Sequence, residues 1–415
     1  MIRSPRGTND ILPNEIIKWQ YLEDSIRKVT NNFGYREIRT PIFESTEVFS
    51  RSIGDTSDIV NKEMYTFLDR GDNSLTLRPE MTAALVRSCI QNGLANRGEL
   101  ERLWYYGPFF RYERPQKGRF RQFHQFGAEC LSSSNPESDV EVILLAVSLI
   151  QELGIEDYSL NINSLGNDES RNNFRNSLVE YFSKYKSDLS EDSLRRLDEN
   201  PLRILDSKDP KDIELSKDAP SILESLDNES KEFFDAVISL LDKANVNYKI
   251  TPSLVRGLDY YSHTVFEFQS TALGAQDSFG GGGRYDGLFQ QLGGKPTPAV
   301  GFAFGVERLL LIIESIMDQS QLEKKVDYYI VSGDTKYISK SIELAQVLRR
   351  KKYHTVTDIQ RKSFKSQMKD ANKKDANKVI ILAEREMQNN NILLKDMSTG
   401  EQKEINIDEF TSSLD

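Results

Sequence analysis

Apolar residues Leu22, Ile26, Val29 and Phe33 recur every three or four positions after Pro13, so one helical face collects them, and Gly34 stands where that helix would stop. A strand is predicted to follow over Tyr35 to Thr40 and to end before Pro41, whose ring removes a donor from a sheet ladder. Further strand-like runs are Ser74 to Leu77, Leu103 to Tyr112, Phe120 to Glu129, Tyr158 to Ile162, Thr264 to Phe268 and Val300 to Phe304. Short Gly- or Asn-containing turns or hairpin-length loops join most of them, which favours antiparallel pairing. Val306, Leu309, Leu310, Ile313 and Met317 then share one face of a second helix.

The pattern changes twice. Between Asn167 and Asn247 the chain turns charged and helix-friendly, punctuated by Pro201, Pro210 and Pro220. This predicts a helical insertion, residues 168–247, inside a sheet domain of residues 1–322. After a polar linker, Asp318 to Lys325, apolar Tyr328 to Val331 precedes a helical Lys336 to Arg350 and a strand-like His354 to Ile359. A helical Phe364 to Lys374 and a buried-strand run at Lys378 to Ala383 follow, an alternation that predicts a small parallel α/β domain over residues 326–415. The fold class is therefore α+β.

With 415 residues, 38% of them hydrophobic and 10% aromatic, each domain has material for a core, which excludes a disordered chain. A net charge of -10 argues against a general nucleic-acid coat protein, so charge matters by segment. Asp327 to Lys378 carries 13 Lys plus Arg against 6 Asp plus Glu. Such a run is ordinarily a solvated face, yet Arg349-Arg-Lys-Lys352 and Arg361-Lys362, with Lys365, Lys369, Lys373 and Lys374, fit a surface that meets phosphates. No apolar run approaches the ~18 residues of a membrane span, and the N-terminus lacks a signal-peptide core. Cys89 and Cys130 do not make a disulfide framework, which suits a reducing cytoplasm. Neither they nor His124, His263 and His354 have metal-ligand spacing, so no protein-bound metal is expected.

Three stretches carry candidate chemistry. Leu254-Val-Arg-Gly-Leu-Asp-Tyr-Tyr261 sets Arg256 beside Tyr260 and Tyr261, pairing a permanently charged fork for carboxylate or phosphate with hydroxyls that donate and accept. Taken alone it is equally compatible with a buried strand end whose arginine is satisfied. In the second, Gly107 to Glu129, Arg111 sits at a strand end beside Phe109 and Phe110, where an unpaired charge is costly unless an anion meets it. The third, Gly301-Phe-Ala-Phe-Gly-Val-Glu-Arg308, puts Arg308 in the first turn of the second helix; a plain strand-turn-helix connection would account for Gly305 but not for the arginine. Gly280 to Gly283 could cradle a ligand, but such runs are common in turns and this one matches neither phosphate-binding fingerprint. Gly293-Gly-Lys-Pro-Thr297 imitates a P-loop end that Pro296 interrupts, and it is set aside.

In this order the stretches resemble the bacterial histidyl-tRNA synthetases, a class II aminoacyl-tRNA synthetase family, over essentially the whole chain. Arg39-Thr-Pro-Ile-Phe-Glu44 resembles the first class II motif, which in the family builds a homodimer interface; Phe110 to Glu129 resembles the second and Gly301 to Arg308 the third. The octapeptide ending at Tyr261 is characteristic of the histidine enzymes. The resemblance implies an antiparallel-sheet catalytic domain with a helical insertion, followed by an α/β anticodon-binding domain. It implies formation of histidyl-adenylate from histidine and ATP with Mg²⁺, then transfer to the 3′ end of tRNA(His).

By matching position, Arg111 and Arg308 would hold the α- and γ-phosphates of ATP, and Arg256 the α-phosphate and the histidine carboxylate. Glu80, Thr82 and Gln125 would take the amino group; Glu129 and Tyr261 would bracket the imidazole, with Tyr260 and Tyr285 in the pocket wall. Arg114, Gln116 and Arg119 lie on the loop that would meet the tRNA acceptor end. A pocket that hydrogen-bonds both imidazole nitrogens rejects apolar amino acids strongly enough that no editing domain is expected. Two departures stand out: Met81 where the family often has glycine, and Asp358 to Phe364 where it often has a glycine-containing stretch. The alternative is a catalytically inactive synthetase-like regulatory subunit of histidine biosynthesis, which typically lacks the anticodon domain and loses catalytic arginines.

Overall fold

Two ten-residue strands, Glu101–Phe110 and Gln122–Leu131, pair antiparallel along their whole length. In the computed structural model, which describes the chain apart from residues 1, 54–58, 95–97, 206, 257, 259, 275–276, 319–321, 323–324 and 415, they frame an eight-stranded sheet. Arg36–Glu37 lies outside the first of them; beyond the second come Ala299–Gly305, Ser278–Arg284, Ser262–Gln269, Ser159–Ser164 and Lys249–Ile250. The interior pairings are antiparallel, and only the two edge pairs run parallel.

Alternation along these strands builds two cores. Trp104, Phe126, Phe268, Phe302 and Phe304 face a helical layer that contributes Leu22 and Ile26 from Ile16–Asn32, Ile143 and Ala146 from Pro136–Glu152, and Leu309 from Val306–Ile316. Each fully buried large side chain there is worth about 1.5–3 kcal/mol of transfer free energy. Leu103, Tyr105, Phe109 and Val265 point the other way, against Leu85, Val86 and Cys89 of helix Thr82–Asn92 and against Tyr260, Tyr261 and Tyr285. The second face carries the cavity described below.

Several expectations need correction. Of Tyr35 to Thr40 only Arg36–Glu37 is strand, because it pairs with just Leu103 and Trp104. The glycine run at 280–283 is no turn; it lies inside the strand Ser278–Arg284. A Cβ on Gly282 would overlap the carbonyl of Gly301 and one on Gly280 the ring of Phe304, so glycine is what lets these neighbours approach. Phe43–Ser45, Ser74–Leu77 and Tyr65–Leu68 form a separate three-stranded antiparallel sheet, of which only Ser74 to Leu77 was expected.

The insertion folds as Asp168–Ser183, Glu191–Glu199 and Pro210–Ser216 with short 3₁₀ turns, around its own core of Phe174, Leu178, Phe182, Leu197, Ile204 and Ile222. Asp212 ties it together by accepting from the hydroxyls of Ser190, Ser193 and Ser207, each at 2.6 Å. The helix Asn228–Lys243, read as part of the insertion, instead sends Phe234, Val237 and Leu241 into the main core.

The chain divides into two compact units, Met1–Gln319 and Ser320–Asp415, and much of the expected linker lies outside the described residues. In the second unit the strand order is Thr355–Thr357, Tyr328–Ser332, Lys378–Leu382, Asn391–Asp396 and Gln402–Asn406. The first three are parallel, as expected, but the last two add antiparallel, so the sheet is mixed. Their hairpin turns at Asp396, which accepts from the backbone N–H of Ser398 and Thr399, with Gly400 at φ 77°. Helices Ile338–Arg350 and Phe364–Lys373 match the expected spans to within about two residues. Among the described residues no helix is long and apolar enough to cross a membrane.

Candidate active site

On the second face of the large sheet lies a cavity of about 270 Å³, polar at both ends. Its floor is Glu129, 1% exposed, opposite Gly301 in the strand register. A Cβ on Gly301 would overlap Glu129 Oε2, so the missing side chain is the space that the carboxylate occupies. Thr82 Oγ1 donates to Glu129 Oε1 at 3.1 Å, and Tyr285 Oη donates to Oε2 at 2.6 Å. Burial pushes Glu129 up to about 8, against the pull of those two hydrogen bonds, and the charge of Glu80 adds to the rise.

Glu80 is also buried, and it caps the helix Thr82–Asn92 by accepting from the N–H of Thr82 at 2.6 Å and of Ala83 at 2.9 Å. Burial raises its pKa in spite of those bonds. The rings of Tyr260 and Tyr261 meet at a 53° tilt with centroids 4.8 Å apart, and Tyr285 meets Tyr260 edge-on at 5.7 Å. Burial lifts the Tyr261 phenol to about 12, while the nearby charge of Arg256 opposes it. Met81 borders the same end, with its sulfur turned toward Thr40 Oγ1 at 3.4 Å and Arg78 Nη1 at 3.8 Å.

The outer end is cationic. Arg111 leaves the long hairpin, donates from Nε to the carbonyl of Pro79 at 2.9 Å, and lies 5.3 Å above the Phe123 ring. Glu113 sits between two guanidinium groups, 3.2 Å from Arg119 and 4.0 Å from Arg111. Arg256 pairs with Glu267, and Arg308 donates to the carbonyl of Ser278. Burial, together with the charge of Arg119, lowers the Arg308 pKa.

Of the residues singled out from sequence, Arg111, Arg256 and Arg308 border this one cavity, as do Glu80, Thr82 and Gln125. Glu129, Tyr260, Tyr261 and Tyr285 complete its inner wall. Arg119 also borders it, whereas Arg114 and Gln116 do not; both are exposed on a loop closed by reciprocal Gln116–Arg119 backbone bonds of 3.1 and 2.9 Å. Sequence reading overlooked Tyr105, Glu113 and Glu267. Tyr105 was visible only as one more aromatic strand position, Glu113 lay within a quoted motif without a role, and Glu267 gave no signal.

Class II aminoacyl-tRNA synthetases are organised this way, on an antiparallel sheet rather than a parallel nucleotide-binding one, and that is the class this fold and its arginine-rimmed cavity define. The Histidyl-tRNA synthetase family pattern matches residues 7–309, and the Anticodon binding domain pattern matches residues 326–415. The histidine-tRNA ligase of Acaryochloris marina is 49% identical over 404 residues, covering 97% of this chain and 94% of its own. That of Streptococcus sanguinis is 46% identical, covering 99% and 96%. The crystal structure of apo Staphylococcus aureus histidyl-tRNA synthetase matches with a TM-score of 0.85 at 37% identity, covering 100% of both chains. The chain belongs to the histidyl-tRNA synthetase family. A Bacillus halodurans protein described as an ATP phosphoribosyltransferase regulatory subunit/histidyl-tRNA synthetase, 24% identical with a TM-score of 0.64 over 92% of this chain and 98% of its own, shares the fold.

Proposed function

We propose that this chain activates histidine with ATP to histidyl-adenylate and passes the histidyl group to the 3′ end of tRNA(His). The observation that carries this reading is the convergence of Arg111, Arg256 and Arg308 on one cavity whose floor is a buried carboxylate, Glu129. A histidine carboxylate is ionised at neutral pH, so its attack on the α-phosphorus needs no general base. The new bond joins a carboxylate oxygen to phosphorus while the bond to the bridging oxygen breaks and pyrophosphate leaves. What the step needs is two anions held in line and the growing charge compensated. Arg111 and Arg308 hold the α- and γ-phosphates, Arg256 meets the α-phosphate and the carboxylate, and Mg²⁺ arrives with ATP as part of the substrate.

At the inner end, Glu129 and Tyr261 bracket the imidazole while Tyr260 and Tyr285 form the wall. With a pKa pushed up to about 8, Glu129 holds a proton near neutrality in the empty pocket, so carboxyl and imidazole share one proton in either direction. An apolar amino acid offers the proton of that buried carboxyl no acceptor, which supports rejection by roughly 10⁴ or more. Glu80, Thr82 and Gln125 take the amino group. Arg114 and Gln116, exposed beside the rim, meet the tRNA acceptor end with Arg119. The basic second unit takes the anticodon.

A second copy of the chain covers the apolar face of the three-stranded sheet, where Phe43 and Phe67 are 52% and 44% exposed on the same side, and the dimer works in the cytoplasm. The regulatory-subunit alternative is disfavoured because the three cations and the terminal domain are all retained. The deciding experiment is ATP-pyrophosphate exchange screened over the twenty amino acids. Exchange dependent on histidine alone is expected, and exchange driven by another amino acid, or by none, overturns the reading.

A further inference from the structure

Arg256 is held from two directions by one neighbouring strand, Ser159–Ser164. Asn163, fully buried, donates from Nδ2 to the carbonyls of Pro252 at 3.0 Å and Leu254 at 3.1 Å, which fixes the backbone just before Arg256. Asn161, two residues earlier and so on the same face, begins a second arm. It accepts from Thr251 Oγ1 at 3.0 Å and donates to Gln269 Oε1 at 2.9 Å. Gln269 Nε2 donates onward to Glu267 Oε1 at 2.9 Å, and the other oxygen of Glu267 receives Arg256 Nη1. The register makes this ladder continuous, since Asn161 lies opposite Glu267 and Glu267 opposite Gly281. A Cβ on Gly281 would come within 3.0 Å of Arg256 Nη1, so that glycine keeps the guanidinium's place open.

An ordinary ion pair would only neutralise the arginine. Two features set this one apart. Glu267 takes one nitrogen of the fork, and among the described residues Arg256 Nε is buried without a partner, so donors remain for an incoming anion. Both oxygens of Glu267 are also occupied, one by the ladder and one by the arginine, which fixes the carboxylate and with it the direction of the fork. We infer that Glu267 is a positioning residue for Arg256, aimed by the Thr251–Asn161–Gln269 ladder. The inference rests on the reading of Arg256 as the group that meets the α-phosphate and the histidine carboxylate. In the resting enzyme Glu267 keeps the guanidinium over the sheet rather than in solvent; during reaction it stays on Nη1 while the remaining donors engage substrate.

The test is a double-mutant cycle in the full-length chain, read by histidine-dependent pyrophosphate exchange at enzyme concentrations that resolve losses of about 10⁵-fold. Glu267→Ala is expected to lower kcat about tenfold or more while changing the KM for histidine far less, and Glu267→Gln, which keeps an oxygen for Nη1, to recover most of that loss. In an Arg256→Ala background, Glu267→Ala is expected to cost nothing further. Gln269→Ala cuts the ladder one link back and is expected to give a smaller loss of the same kind, also absent in that background; it carries the test if Glu267→Ala does not fold. Wild-type kcat in both ladder variants, or losses that multiply with that of Arg256→Ala, overturn the inference. Wild-type exchange in Arg256→Ala alone overturns the underlying reading of Arg256 instead.

Discussion

The two ends of the cavity are built on opposite plans. At the inner end the protein's polar groups already satisfy one another: Thr82 and Tyr285 occupy both oxygens of Glu129, and two backbone N–H groups occupy Glu80. At the outer end each cation holds a partner that an anion can replace or join, a carbonyl for Arg308, a carbonyl and a distant Glu113 for Arg111, and Glu267 for Arg256. Burial follows the same division, with Glu129 at 1% exposure and the Arg256 side chain at 21%. A buried end discriminates, because a guest that displaces one of these internal hydrogen bonds without replacing it strands a buried polar group. An accessible cationic end can exchange its partners, because each cation's present contact is one that an incoming anion can join or replace.

Removing an outer cation should therefore appear in rate and hardly at all in stability. Arg256→Ala is expected to lower histidine-dependent exchange by about 10³-fold or more, in line with loss of a charged group that meets the reacting phosphate, while thermal unfolding stays within a degree or two of wild type. A large drop in Tm with an unchanged rate would reverse the assignment of the two ends. An inner change should do the opposite to the kinetic constants. Glu129→Gln keeps the shape and removes the proton that the carboxyl can pass to imidazole, and it is expected to raise the KM for histidine by about 10–100-fold, with the KM for ATP little changed. Equal effects on both substrates would show that the pocket floor is not where the imidazole rests.

How much of this was legible in the chain divides along the same line. The arginines were readable because each stands at the end of an apolar stretch, where a lone charge is conspicuous. Glu129 and Tyr285 were reached only through resemblance, for nothing in their immediate neighbours marks a carboxylate that will lie buried against a phenol. The strand Ser278–Arg284 was misread because glycine lacks the side chain that a strand signal depends on, and its reason for being there lies in Gly301 and Phe304 on the facing strand. Glu267 was invisible for a related reason: Gln269 shares its strand, but Arg256 and the ladder residue Asn161 come from separate stretches that only the folded sheet brings to it. The terminal hairpin was missed because the antiparallel addition of Asn391–Asp396 follows a purely parallel pattern.

Gly301 offers an intermediate test. Gly301→Ala is expected to displace Glu129, costing about 1–3 kcal/mol of stability through overpacking and weakening histidine more than ATP. If ATP affinity falls as far as histidine affinity, the sheet itself has moved and the two ends are not separable.

The last expected effect concerns stability alone, and it has a definite sign. Glu129 is raised from an ordinary 4.5 to about 8 by burial, so between those values the folded protein holds a proton that the unfolded chain has released. The stability contributed by that proton is fully present below about pH 4.5 and is lost as pH rises through about 8, beyond which folding carries the cost of a buried charge. Glu129→Gln cannot ionise. Its Tm relative to wild type should accordingly rise across this window by an amount on the order of a few kcal/mol in the underlying free energy, and level off above about pH 9. Melting curves of both proteins at pH 5, 7 and 9 without histidine measure it, and a constant difference would mean that the carboxylate is already charged in the empty pocket. A variant that is poorer at binding histidine yet sturdier in alkali would show that the inner end keeps an ionisable carboxyl at the expense of the fold, as a site kept ready for one particular guest must.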